Sequence, residues 1–368
     1  MFLPETYATA LLLTILTMIC WGSWANTQKM AGKWRFELFY LDYALGVVLC
    51  AVIAMLTLGS LNPKEITAVD SIALAGYRKI AFGLGGGIIF NLANMLLVAA
   101  ISIAGLSVAF PVGIGLALVI GVVWSYILNP QGNPALLFGG AALVLVATIV
   151  NAIAYRRYAA DKKIAEAAAQ PPPVAPAAMP QGTKRAPVRA KVPGEAKATP
   201  LKGIILSIIA GLLMGSFYPL VEMGRSGDLG LAPYAMAVIF AIGVFGSTLV
   251  FSVFFALMPV HGEPVALWEY FRGTKRQHLL GITGGTIWMI GALANFCAAN
   301  TPASAQVGPA VSYAIGQGAT MVSALWGLFV WKEFAGAGPR VRTLLGVMFI
   351  LFLIGLALVS IAPLYSRA

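Results

Sequence analysis

Apolar residues in this chain come in long, nearly unbroken runs separated by short polar stretches, not in the three-to-four or every-second spacing of half-buried helices and strands. A window of about 19 residues finds ten runs: Tyr7 to Ala25, Phe39 to Leu58, Ile80 to Ala104, Leu106 to Leu128, Ala135 to Tyr155, Leu201 to Val221, Pro233 to Met258, Leu279 to Ala299, Ala303 to Trp331 and Leu344 to Ala362. As helices rising about 1.5 Å per residue, these cross about 30 Å of hydrocarbon. The pattern predicts an all-α polytopic membrane protein of ten transmembrane helices.

Composition excludes the soluble alternative. The chain is 60% hydrophobic and 10% charged, with 40 glycines in 368 residues, and its mean hydropathy is +0.87; a soluble domain carries about a quarter charged residues. No Lys or Arg precedes the first run, and its far end is Trp21-Gly22-Ser23-Trp24 instead of a small-residue cleavage site. It is expected to be retained as a span and not removed as a signal peptide. Cys20, Cys50 and Cys297 all fall in apolar runs, and His261 and His278 at loop edges. That spacing suggests neither a disulfide framework nor a metal site, and no cofactor is expected.

Charge gives the orientation. The stretch from Arg156 to Lys202 is rich in Ala, Pro, Lys and Arg, cannot bury a core, and is expected to be disordered. Its basic residues place it on the cytoplasmic side. The loops holding Lys29, Lys33 and Arg35, then Arg272, Lys275 and Arg276, then Lys332, Arg340 and Arg342 fall on the same side. Lys64, Arg78, Lys79, Arg225 and Arg367 remain outside, as do both termini. The net charge of +11 is then explained by orientation against an anionic inner leaflet, with no nucleic acid partner. The partners expected are the lipid bilayer and a small-molecule solute, with a homodimer left open, in a bacterial inner (plasma) membrane.

The chain repeats itself. Trp21-Gly22-Ser23-Trp24-Ala25-Asn26 near the end of the first run has a degraded copy, Met214-Gly215-Ser216-Phe217-Tyr218-Pro219, in the sixth. Further echoes are Leu92-Ala93-Asn94 against Leu293-Ala294-Asn295, Val108 with Pro111 against Val307 with Pro309, and Trp124 against Trp326. Five spans precede the basic stretch and five follow. Because five is odd, two such halves lie antiparallel, which is the inverted repeat of secondary transporters. The organisation expected is a first repeat over 1–155, a cytoplasmic loop over 156–200 and a second repeat over 201–368.

Four strings carry a family resemblance: Trp21-Gly22-Ser23-Trp24, Tyr40-Leu41-Asp42-Tyr43, Gly105-Leu106-Ser107-Val108, and Trp326-Gly327 followed by Lys332-Glu333. Together they resemble the drug/metabolite transporter superfamily, most nearly the ureide permeases of plants and more distantly the bacterial glucose and rhamnose uptake families. The resemblance implies a ten-span carrier of five-plus-five design, moving small polar solutes, often with protons: ureides and nucleobase-like heterocycles in one branch, sugars in the other. One departure is visible. The plant proteins carry a P-loop-like motif in the central loop, whereas no Gly-x-x-x-x-Gly-Lys-Ser/Thr pattern occurs between Arg156 and Lys202, so nothing here supports nucleotide binding.

Polar groups inside a bilayer are costly and are candidates for function by default. The amides are Asn26, Gln28, Asn91, Asn94, Asn295, Asn300, Gln306 and Gln317; each offers donors and an acceptor to a ureide, a pyrimidine or a sugar. Asn94 and Asn295 are favoured because they recur in both halves, and helix-to-helix bonding is the competing role. Trp21, Trp24, Phe217, Tyr218 and Trp288 supply flat rings for stacking. Interfacial anchoring suits Trp24 and Tyr218 equally well. The substrate-binding set selected is Trp21, Asn26, Asn91, Asn94, Tyr218, Trp288, Asn295 and Gln317. For proton coupling, a carboxylate that is buried in one state and wetted in another is required; Asp42 is the first candidate and Glu222 the second. Pro111, Pro219 and Pro309 are expected to kink spans four, six and nine. A membrane enzyme is disfavoured because no His/Asp/Ser constellation appears. An exporter of cationic drugs is disfavoured because span one has no charge between Glu5 and Lys29.

Overall fold

The computed structural model of the chain describes residues 1–61, 66–169, 201–259, 263–300 and 307–365. Among these, ten helices are long and apolar enough to cross a membrane: Tyr7–Met30, Phe36–Ser60, Tyr77–Ile101, Val108–Leu128, Pro134–Glu166, Leu201–Arg225, Pro233–Leu257, Lys275–Ala298, Pro309–Val330 and Pro339–Tyr365. They are called spans one to ten. No strand occurs among the described residues. Leu12, Ile53, Ile127, Val250 and Ile350 point outward, as a lipid-facing surface requires, while alanines and glycines fill the helix contacts.

Two predicted features change. The helix of span five continues through Arg156 and Arg157 to Ala169, where disorder was expected from Arg156 onward. This stretch is rich in Ala, Lys, Arg and Glu, all good helix formers, and Arg157 pairs with Asp161 one turn on at 3.6 Å. The rest of that loop, and Lys64, Gln306 and Arg367, lie outside the described residues. Pro309 does not kink span nine; it occupies the first turn, where no hydrogen-bonded N–H is lost. The interruption falls instead at Gln317 and Gly318, between the helices Pro309–Gly316 and Ala319–Leu325, and a π-helical turn over Trp326–Val330 ends the span. Span one is likewise divided at Trp24, between Tyr7–Ser23 and Ala25–Met30. Pro111 and Pro219 lie inside their helices.

The packing comes in matched sets. Span six lies against three and four as span one lies against eight and nine, span three meets seven as eight meets two, and five pairs with ten. Glycines show the register. A Cβ at Gly285 would strike the carbonyl of Tyr43 and the amide of Val47; one at Gly87 would strike the carbonyl of Phe240 and the amide of Val244. Gly46 meets the backbone of Ile282 as Gly243 meets that of Leu84, and Gly22 faces Ala319 and Val322 as Gly215 faces Ala117 and Ile120. These contacts equate Tyr43 with Phe240, Gly46 with Gly243, Gly87 with Gly285, Ala117 with Ala319 and Gly22 with Gly215. They support the inverted repeat and the pairing of the two opening strings.

The same register does not support the other echoes, except Trp124 with Trp326. With Gly87 on Gly285, Asn94 corresponds to Ala292 and Asn295 to Leu97, about one helical turn from the pairing expected. With Ala117 on Ala319, Pro111 corresponds to Tyr313. In helices built mainly of Leu, Ala and Val, a short match slides by a turn at almost no cost in similarity.

Candidate functional site

Between spans one, three, four, six, eight and nine lies a cavity of about 390 Å³. Six rings stand in its wall: Trp21 and Trp24 from span one, Phe90 from three, Phe110 from four, Phe217 from six and Trp288 from eight. The polar lining is Gln28, Asn94, Gln317, Thr320 and Ser323, and among the described residues no charged side chain contributes. Gln28 and Ile101 lie near the C-terminal ends of spans one and three and Phe110 near the start of span four. The cavity therefore reaches the face at those ends. At the other end it is closed by rings: Tyr218 stands 5.0 Å from Tyr313 and 6.4 Å from Phe296, centroid to centroid.

The aromatic wall obeys the twofold register. Trp21 corresponds to Met214, Trp24 to Phe217 and Phe90 to Trp288, and all six line the cavity. Phe90 and Trp288 meet at 4.3 Å, and Trp21 stacks against Trp288 at 5.8 Å with the planes 10° apart. The amides break the symmetry, because Gln28, Asn94 and Gln317 correspond to Val221, Ala292 and Gly115. Hydrogen-bonding capacity thus comes from one member of each related pair. Asn94 is oriented by donating from Nδ2 to the hydroxyl of Tyr40 at 2.8 Å.

Outside the cavity, Asp42 is buried in the first turns of span two. Its Oδ1 accepts from the hydroxyl of Tyr270 at 2.6 Å, and its Oδ2 lies 2.7 Å from Nδ1 of His278. Local sequence builds this cluster. Thr274 and Gln277 form a reciprocal cap that starts span eight, which sets His278 in its first turn, and Gly281 one turn later lets Asp42 approach that helix. Tyr270 comes from the 3₁₀ segment Leu267–Arg272. Burial and the adjacent Asp42 carboxylate both push its phenol above the ordinary tyrosine range.

The sequence profile of the Ureide permease family matches residues 39–175, from span two through span five. Ureide permease 1 of Arabidopsis thaliana is 24% identical over 97% of this chain and 97% of its own length. Ureide permease 2 of the same plant is 25% identical over 97% and 98%, and ureide permease 3 is 30% identical over 42% of this chain and 45% of its own. The chain is ureide permease-like. A solved crystal structure, 16% identical, superposes with a TM-score of 0.60 over 98% of this chain and 100% of that one, which shows a shared fold. With permeases as relatives and ten apolar helices, this is an integral membrane transport protein and not an enzyme.

Of the side chains selected from sequence, Trp21, Asn94, Trp288 and Gln317 line the cavity of this ureide permease-like chain. Four others do not. Asn91 lies with Nδ2 2.8 Å from Ser247 Oγ and 3.0 Å from Thr248 Oγ1, tying span three to span seven. Asn295 donates to the carbonyl of Ser312 at 3.1 Å and ties span eight to span nine. Asn26 donates to the carbonyl of Ser23 and accepts from the indole of Trp331 at 2.6 Å. Tyr218 belongs to the closed end. The reason is common to the three amides: in a low-dielectric interior an amide bonds the nearest available helix, so residue type alone does not separate glue from site. Trp24, given an anchoring role as readily as a cavity role, lines the cavity.

Glu222 is buried in the last turn of span six, 3.8 Å from the equally buried Arg225, beyond the rings that close the cavity. At the opposite face Lys29 pairs with Glu333 at 2.5 Å, and Glu333 also accepts from Tyr155 at 2.7 Å. Burial pulls the Glu333 carboxyl upward, but the Lys29 and Tyr155 hydrogen bonds outweigh it, and the net position is below the ordinary glutamate value. Sequence reasoning missed His278 and Tyr270. The readable signal was the Thr274-to-Gln277 cap, which places His278 inside the helix and not at a loop edge.

Proposed function

We propose that this protein is a secondary carrier for small, flat, uncharged solutes of the ureide and nucleobase-like kind, bound in the cavity between spans one, three, four, six, eight and nine. The observation that carries this reading is the lining itself: aromatic walls for a planar ring, amides and hydroxyls for its carbonyls and N–H groups, and no charge. A cationic drug leaves its charge without a partner in such a wall, and a carboxylated solute fares no better. The relatives named ureide permeases point the same way.

In this reading Trp21, Trp24, Phe90, Phe217 and Trp288 stack on the solute, and Gln28, Asn94 and Gln317 choose it. The mouth faces the cytoplasm and the termini lie outside, as the basic loops require; the closed end lies outward. Accumulation is driven by protons, with Asp42 as the carboxylate. Glu222 is set aside because Arg225 already neutralises it. The test is uptake of allantoin, uracil, glucose and rhamnose into proteoliposomes, with and without an inward proton gradient. Allantoin or uracil is expected to accumulate above the outside concentration only with the gradient. Efflux of a lipophilic cation with no movement of the neutral solutes overturns the reading.

A further inference from the structure

We propose that Asp42, His278 and Tyr270 form the proton-carrying site of this protein, with His278 Nε2 the atom that takes up and gives back the proton. The proposal rests on the reading of the chain as a solute carrier and deepens it by naming where coupling occurs.

The first argument is the break in symmetry. Gly281 packs on Asp42 as Gly83 packs on Ile239, so Asp42 corresponds to Ile239, and His278 correspondingly to Ile80. Two isoleucines stand in the other half where an acid and a base stand in this one. Close packing of these helix pairs therefore does not require a polar cluster, and a buried carboxylate in a membrane persists only where it serves a purpose beyond packing.

The second argument is the chemistry. A 2.7 Å contact between an Asp42 oxygen and Nδ1 of His278 holds a shared proton; with the carboxyl ionised that proton sits on Nδ1, and Nε2 is the nitrogen left to take up a further one. The His278 side chain is 25% exposed while that of Asp42 is 2% exposed, so the ring reaches water at the face where the cavity opens. Nearby charges do not compete. Arg35 pairs with Glu37 at 2.9 Å and Arg272 with Glu269 at 3.0 Å, while Lys33, Lys275 and Arg276 are exposed. The rings of Trp34 and His278 form a T-shaped pair with centroids 5.7 Å apart.

The third argument is the link to the cavity. The turn that carries Asp42 also carries Tyr40 and Tyr43, stacked on one another at 4.7 Å. Tyr40 holds Asn94 by hydrogen bond and the Tyr43 ring lies 4.9 Å from that of Trp24. Two cavity side chains are thus supported by the helix turn that feels the charge on His278. Loading adds one proton to Nε2, converting imidazole beside carboxylate into imidazolium beside carboxylate. Unloading returns that same proton to water, so one proton is carried per cycle.

The chain has two histidines, which makes the test direct. In full-length protein carrying His261→Asn, a single imidazole remains and is followed by NMR against pH, with and without Asp42→Asn. The pH response of the His278 imidazole is expected to change when Asp42 is neutralised; an unchanged response overturns the proposal, whether or not any solute is transported. In proteoliposomes, His278→Asn and Asp42→Asn are expected to exchange allantoin across the membrane but to lose its accumulation above equilibrium, with Asp42→Glu regaining it in part. Wild-type accumulation in His278→Asn overturns the proposal. If the wild type itself moves no ureide, the solute reading fails, and the titration still decides the proton site.

Discussion

Gly291→Ala is a small change with a calculable effect on the cavity. A Cβ at Gly291 falls 2.8 Å from Trp21 Cδ1 and 3.0 Å from its Nε1, with the Cβ of Cys20 also at 2.8 Å. Carbon atoms settle at about 3.5–4.0 Å, so the indole has to move by about 0.7–1.2 Å, and the cavity is the open space beside it. Retreat the other way is blocked by span nine, since a Cβ at Gly316 falls 2.9 Å from Trp21 Cζ3. Overpacking of this kind costs about 1–3 kcal/mol. Spent against solute binding, that is a loss of about five- to 150-fold in affinity. The measurements are the melting temperature in detergent and equilibrium binding of labelled allantoin, with Gly316→Ala as the second arm. Gly85→Ala is the control: nothing lies within 4 Å of its added Cβ, so it is expected to bind normally and to gain up to about 1 kcal/mol of helix propensity. Wild-type binding by both Gly291→Ala and Gly316→Ala, with unchanged melting, refutes the placement of Trp21.

Other expectations follow from the partners described. Arg225→Leu strands Glu222 in the interior and is expected to lower stability by about 3–5 kcal/mol; the double variant Glu222→Leu/Arg225→Leu, with neither charge left, is expected to recover most of it in thermal melts. Asn91→Leu is expected to destabilise while leaving solute affinity intact, whereas Gln317→Ala does the reverse; equal effects of the two on affinity contradict the division between glue and site. The Glu333 carboxyl titrates lower in the folded protein than unfolded, so its contribution is present above the unfolded value of about 4.3 and is lost as pH falls through the lower folded value. Melting temperature is therefore expected to drop on acidification through that window in the wild type, and to do so less in Glu333→Gln.

The ten spans were legible because their cause is local: a helix that must satisfy its own backbone in lipid announces itself as a long apolar run. Trp21-Gly22-Ser23-Trp24 was legible as a special string for a related reason, since Gly22 is needed for close approach to Ala319 and the flanking rings face the cavity that approach creates. Much of the site was not legible. Asn91, Asn94 and Asn295 are chemically identical within apolar helices, and what separates them is rotation about the helix axis, which depends on packing that a nearly uniform apolar sequence does not encode. Asp42 stood out as a lone carboxylate, yet its partners are more than two hundred positions away and meet it through tertiary contact. The interruption at Gln317 and Gly318 hid behind Pro309, a stronger helix-breaking signal that happens to fall where a helix begins.

The most direct measurement is protection of the cavity by its solute. With Cys20, Cys50 and Cys297 replaced, Thr320→Cys places a thiol in the cavity lining, and the rate of its reaction with a small maleimide is followed in the reconstituted protein. Allantoin is expected to slow that reaction in proportion to its occupancy, while glucose and a lipophilic cation leave it unchanged. Labelling at the same rate with and without saturating allantoin contradicts the assignment of this cavity as a ureide site.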